Sequence, residues 1–156
     1  MPITIDTHIS GQVALITGAA QRLGAMTARY LHAAGANIVI HYRNSSAPAQ
    51  RLCDELNHAR NDSAQIIQAD LLETQHLDKL VQDAQNFWSR LDILINNAGI
   101  QIPGAAHEIP FEEFAKVIDV NLKGAYLCAR EAIKMFLEGS NGGSIINVSS
   151  VHQIIP

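Results

Sequence analysis

A chain of 156 residues that is 47% hydrophobic and 17% charged is long enough for one domain with a sizeable core and too apolar for a disordered segment. Its net charge of -4, with the basic residues scattered, argues against a nucleic-acid partner. Two cysteines, no CxxC or HExxH, and seven histidines without metal-ligand spacing argue against a disulfide framework and against a metal site.

The first residues, "MPITIDTHISGQ", are polar and lack the basic segment and apolar core of a secretory leader, and no apolar run approaches bilayer length. A cytoplasmic protein without a membrane partner is expected. "VALIT" (13–17) reads as a buried strand, and "LGAMTARYLHAA" (23–34) as a helix whose apolar Leu23, Met26, Tyr30, Leu31 and Ala34 share a face, stopped by Gly35. "NIVIH" (37–41) is a second strand, 47–60 a helix with Leu52 and Leu56 inward, and "AQIIQA" (64–69) a third strand. Leu77, Leu80, Val81, Ala84, Phe87 and Trp88 mark a helical stripe before a fourth strand, "LDILI" (91–95). A long helix then runs from about Pro110 to Glu138, with Phe114, Val117, Ile118, Leu122, Ala125, Ala129, Ile133 and Phe136 on its buried side. "SIINVS" (144–149) is a fifth strand.

Apolar strands separated by helices imply right-handed crossovers and a parallel sheet covered on both faces. The expected fold is α/β: one Rossmann-type, doubly wound domain over 1–156, of strand order 3-2-1-4-5. A ligand crevice should lie at the carboxyl ends of the strands beside the switch point. Residues 17–24, 41–46, 70–71, 96–99 and 149–152 would line it.

In "TGAAQRLG" (17–24), Gly18 allows a tight turn, Gly24 lets the helix pack closely on the sheet, and the N–H groups around Leu23 can hold a pyrophosphate. The alternative is an ordinary strand-to-helix turn. At the end of the second strand, "HYRNSS" offers Arg43, Asn44 and Ser45 as donors where an NAD-binding fold would carry a carboxylate. A solvated arginine is the alternative there, but Arg22 stands at a neighbouring point of the crevice. Two guanidinium groups suit the 2′-phosphate of NADP(H) better than the bare ribose of NAD. Asp70, followed by Leu71, could accept from an adenine amino group or cap a helix. Asn97, Ala98 and Gly99 of "NNAG" either bridge strands and leave room for a flat ligand, or simply mark a turn.

"TGAAQRLG", Asp70, "NNAG" and "GSIINVSS", in this order and spacing, closely resemble the short-chain dehydrogenase/reductase family over residues 11–156. The resemblance implies a nicotinamide cofactor, carbonyl/alcohol or imine redox chemistry on a small-molecule substrate, and a homo-oligomer built through the long helix, 110–138. Residues 13–70 look most like NADPH-dependent pteridine reductases, and residues 91–156 more like glucose 1-dehydrogenases. The two halves therefore point to different substrates. By motif match the substrate-orienting serine is Ser150, or else a common strand-end hydroxyl, and the asparagine supporting a proton-relay water is Asn121, a polar amide in an otherwise buried helical face whose alternative is a core hydrogen bond to neighbouring backbone. The family's proton donor is the tyrosine of a Tyr-x-x-x-Lys pair. None of Tyr30, Tyr42 and Tyr126 begins one. The expectation is thus the cofactor-binding part of a longer enzyme, lacking the C-terminal part of the family fold. The alternatives are a non-catalytic NADP(H)-binding or partner-regulating module, or another nucleotide-binding Rossmann protein.

Overall fold

Each residue of β1 (Val13–Ile16) is fully buried, so this strand needs cover on both faces. The computed structural model, which describes residues 8–139, 142–151 and 154, supplies it. β2 (Asn37–Tyr42), β3 (Ala64–Gln68), β4 (Ile93–Asn96) and β5 (Ser144–Asn147) join β1 in a parallel sheet of order β3-β2-β1-β4-β5, as the apolar runs predict. Strand alternation divides the core. Ala14, Ile16, Ile38, Ile40, Ile93 and Ile95 meet α1 (Arg22–Ala33) and α2 (Ser46–Ala59). Val13, Leu15, Val39 and Leu94 face the other way, towards α3 (Leu77–Asn86) and α5 (Ala125–Glu138). β5 is an edge strand with Ile146 exposed.

Two helices bury a different face from the one their largest apolar residues mark. On α1, Leu23 and Tyr30 are 59% and 63% exposed and Met26 is exposed too, whereas Gly24, Ala25, Ala28 and His32 are buried. Small side chains let the helix axis approach the sheet, and the long ones are left outside. The expected long helix is α4 (Phe111–Ile118), a π-helical segment (Asp119–Gly124) and α5 in continuous succession. Its sheet-facing residues are Val120, Gly124, Cys128, Glu131 and Ala132, one position out of phase with the expected Ala125, Ala129 and Ile133. Phe114, Leu122 and Ile133, expected inside, are exposed. Gly124 explains the choice, since a Cβ there would stand 3.2 Å from Leu71 Cβ. The i→i+5 turn also adds a residue that pure 3.6-residue periodicity does not count.

Several ends differ from expectation by a residue or two. β4 begins at Ile93 rather than Leu91, and β5 stops at Asn147 rather than Ser149. α3 ends at Asn86, before the exposed Phe87. Gly35, at φ +100°, follows the end of α1 as expected of a left-handed stop. Among the described residues no helix is long and apolar enough to cross a membrane, and no group of three or more His, Cys, Asp or Glu could hold a metal ion.

Candidate functional site

The loops after β1, β2, β3 and β4 meet at the carboxyl edge of the sheet and enclose a cleft of about 440 Å³. It lies where strand order reverses between β1 and β4, the place a doubly wound sheet offers a ligand. Gly18, Arg22, Leu23, Gly24, Arg43, Asn44, Ser45, Asp70, Leu71, Asn97, Ala98 and Gly99 all line it. Twelve positions spread over 82 residues of sequence thus share one surface.

The loop from β1 to α1 is built on steric grounds. Gly18 has φ +64°, and a Cβ there would lie 3.0 Å from Ala98 Cα. Gly24 is tighter: a Cβ would come within 2.6 Å of both Asn97 Nδ2 and Gly18 O. Its small size serves the contact of helix with loop and Asn97, rather than the expected contact of helix with sheet. Arg22 has φ +52°, the left-handed region that costs an L-residue about 1–2 kcal/mol. A glycine would hold this position without strain, so a cation is kept here against a backbone cost. The first hydrogen bond of α1 runs from Ala25 N to Gln21 O. The N–H groups of the preceding helical turn therefore have no carbonyl behind them within the helix and lie at its positive end beside the cleft.

Thr17, at the end of an aliphatic strand, ties this loop to the one after β4. Its hydroxyl oxygen accepts from the N–H groups of Asn97 and Ala98, both at 3.0 Å. Asn97 Nδ2 donates to the carbonyls of Thr17 (2.8 Å) and Gly18 (3.2 Å), the strand-bridging role expected of an asparagine here. Asn96 Nδ2 donates to Asn147 Oδ1 at 2.9 Å and to the Ala125 carbonyl at 3.2 Å, linking β4 to β5 and to the start of α5.

His41 also lines the cleft. Gly18 N–H donates to its Nδ1 at 3.0 Å, so Nε2 carries the proton and donates to the Ala69 carbonyl at 3.1 Å. Burial pushes its pKa down to about 4, against the upward pull of the Ala69 hydrogen bond and the Asp70 carboxylate. The ring is therefore neutral at physiological pH. Thr17 and His41 fall in the expected crevice stretches 17–24 and 41–46, but neither was assigned a role of its own from sequence. The available signal was a polar side chain at the last turn-side position of an aliphatic strand.

Asp70 Oδ1 accepts from Leu72 N–H at 3.0 Å, and Asp70 O accepts from Glu73 N–H at 3.0 Å. The carboxylate thus shapes a turn and caps no helix, since α3 starts at Leu77 after a 3₁₀ turn over Thr74–His76. Asn121 is exposed, contrary to its expected place in a buried face. It lies in the π-helical segment, where its Oδ1 accepts from Ile100 N–H at 2.8 Å and its Nδ2 donates to Ile100 O at 2.9 Å. Its side chain pins the loop after β4 to the helix and is outside the cleft lining, as is Ser150, which stands exposed three residues past β5. Of the expected stretch 149–152, His152 lies outside the described residues.

The fold, with its cleft at the switch point, defines a Rossmann-type protein of the doubly wound class. The family model described as short chain dehydrogenase matches residues 12–156, and the chain belongs to the short-chain dehydrogenase/reductase family of oxidoreductases. It is 37% identical over 148 residues to 3beta-hydroxysteroid dehydrogenase 1 of Eggerthella lenta, covering 95% of this chain and 56% of that protein. It is 36% identical over 145 residues to a 3-oxoacyl-[acyl-carrier-protein] reductase of Synechocystis, covering 93% and 58%. A short-chain type dehydrogenase/reductase from Mycobacterium marinum, 31% identical, superposes with a TM-score of 0.87 over 95% of this chain and 60% of that one. The chain spans little more than half the length of these relatives.

Proposed function

We propose that these 156 residues are the cofactor-binding portion of an NADP(H)-dependent oxidoreductase acting in the cytoplasm on a small carbonyl/alcohol or pteridine-like substrate. The observation that carries this reading is the convergence of the twelve residues expected to bind the cofactor on one cleft at the switch point, with Asn121 and Ser150 outside its lining. The lining also fits the group. Gly18 and Gly24 sit where a Cβ would collide, so the loop is flat against the Asn97–Ala98 backbone. The start of α1 offers N–H donors to a pyrophosphate. Arg22, Arg43, Asn44 and Ser45 offer positive charge and donors to a 2′-phosphate, and Asp70 has its second carboxylate oxygen for an adenine amino group.

When bound, a nicotinamide supplies or accepts the hydride. The chain's own part is to bind and orient: Asn97 and Thr17 hold the loops after β1 and β4 in register, and Asn121 fixes Ile100 at the cleft wall. Ser150 is proposed to orient the substrate oxygen, and the backbone around Asn121 to support a relay water, its amide being engaged by Ile100. No proton donor is assigned, because the sequence contains no Tyr-x-x-x-Lys. Self-association through 110–138 is supported by the exposed apolar row Phe114, Leu122, Tyr126, Ile133 and Leu137.

Binding at this cleft is tested by adding NADPH to the ¹⁵N-labelled chain. Amide shifts concentrated at Gly18, residues 22–24, Leu71 and Gly99 are expected. Shifts elsewhere, or none, would remove the assignment.

A further inference from the structure

The N–H groups of the loop are not all available to a ligand. Gly18 N–H is held by the imidazole of His41, and Ala19 N–H by the His41 carbonyl at 2.9 Å. One residue of β2 thus takes two consecutive donors of the loop, those of Gly18 and Ala19, with both its side chain and its backbone. Ala19 is fully buried and outside the cleft lining, whereas residues 20–24 all line the cleft. The same imidazole reaches the Ala69 carbonyl, directly before Asp70. It therefore links the phosphate loop after β1 to the carboxylate turn after β3, across the end of β2. Arg43, two residues on, is carried by the same strand end, and Gln68 Nε2 donates to its carbonyl at 2.9 Å.

We infer that His41 is a positioning residue for the cofactor: its neutral ring, accepting from Gly18 and donating to Ala69, sets the direction of the loop donors relative to Asp70 and Arg43. This rests on the proposed NADP(H) reading of the cleft. A leucine of similar volume would fill the space and leave two half-buried polar groups without their partner, so the position calls for a group with an acceptor on one side and a donor on the other.

The two sides can be separated. In His41→Asn the amide oxygen falls near Nδ1 and can still accept from Gly18. In His41→Gln the amide nitrogen falls nearer Nε2 and can still donate to Ala69. NADPH titration of the full chain, read by nicotinamide fluorescence, is expected to show the asparagine variant within about threefold of the unsubstituted protein and the glutamine variant about tenfold weaker, the worth of one oriented hydrogen bond. Thermal midpoints should fall in both, so that affinity and stability part company. Equal affinities in the two variants would overturn the inference while leaving the cofactor reading intact. Failure of the unsubstituted protein to bind NADPH would overturn the cofactor reading itself. Should both variants fail to fold, amide exchange in the unsubstituted protein decides: Gly18 is expected to exchange far more slowly than Gln21, and equal exchange would refute the Gly18–His41 latch.

Discussion

Acid is predicted to destabilise the fold through His41. An unfolded histidine titrates near 6.5, and the buried ring at about 4. The folded pKa is depressed, so the unfolded state takes up protons first as pH falls. The stability contributed by the neutral ring is complete above pH 6.5, declines as pH drops towards 4 and levels off below it. Linkage for a shift of this size gives a loss of about 2 kcal/mol between pH 7 and 5, and about 3 kcal/mol by pH 4. Those are large fractions of the stability of a small domain. Other groups also lose stability in acid: Glu55 beside Arg29, and Glu131 beside Lys134 and Arg130, are held below the ordinary carboxylate range. The His41 share is isolated by difference. Urea unfolding of the unsubstituted protein and of His41→Leu, followed through Trp88, the single tryptophan, would be compared from pH 7.5 to 4.5. The gap between them should narrow by about 2 kcal/mol by pH 5, because the leucine variant has no such proton to take up. Parallel curves over that range would refute the buried, neutral, doubly bonded histidine.

Three further outcomes follow from the loop geometry. Arg22→Gly relieves a residue at φ +52° and should leave thermal stability unchanged or raised by about 1 kcal/mol, where a glycine in an ordinary helix position would lower it, while NADPH affinity falls; a clear drop in melting temperature would contradict the strained conformation. Gly24→Ala sets a methyl 2.6 Å from Gly18 O, a backbone atom that cannot swing away, and should cost about 1–3 kcal/mol in denaturant together with NADPH binding. Thr17→Val removes the acceptor of two N–H groups while keeping volume, and a loss of about 2–3 kcal/mol is expected by urea unfolding.

The strands were legible because a buried parallel strand is a short apolar run, as "VALI" is, and its length between turn-forming residues, not its period, separates it from a helix; the sheet order followed from the alternation of such runs with helices. Helix orientation was less legible. On α1, and on α5 with the π-helical segment before it, the face that packs on the sheet is made by Gly24, Ala25 and Ala28 and by Gly124, Cys128 and Ala132, so the strongest apolar signal, from Leu23, Tyr30, Leu122 and Ile133, marks the outer side. Each motif residue of the cleft has an ordinary alternative as a turn or solvated side chain, and they could be chosen because they recur together at successive strand ends in the order the family shows. His41 was hidden inside a strand pattern: its partners, Gly18 and Ala69, lie 23 and 28 residues away and become neighbours only once the parallel register is set. Asn121 was visible as a polar residue in a helix, but its partner, Ile100, depends on the π-helical turn that carries it, which periodicity does not reveal.

The central claim is a preference for the 2′-phosphate, and its most direct measurement is the ratio of NADH to NADPH dissociation constants in the unsubstituted protein and in Arg43→Ala. Charge-assisted bonds from Arg22 and Arg43, discounted for their exposure, predict NADPH binding at least about tenfold more tightly, with most of that preference lost in the variant. Equal affinity for the two cofactors, unchanged by Arg43→Ala, would contradict the account.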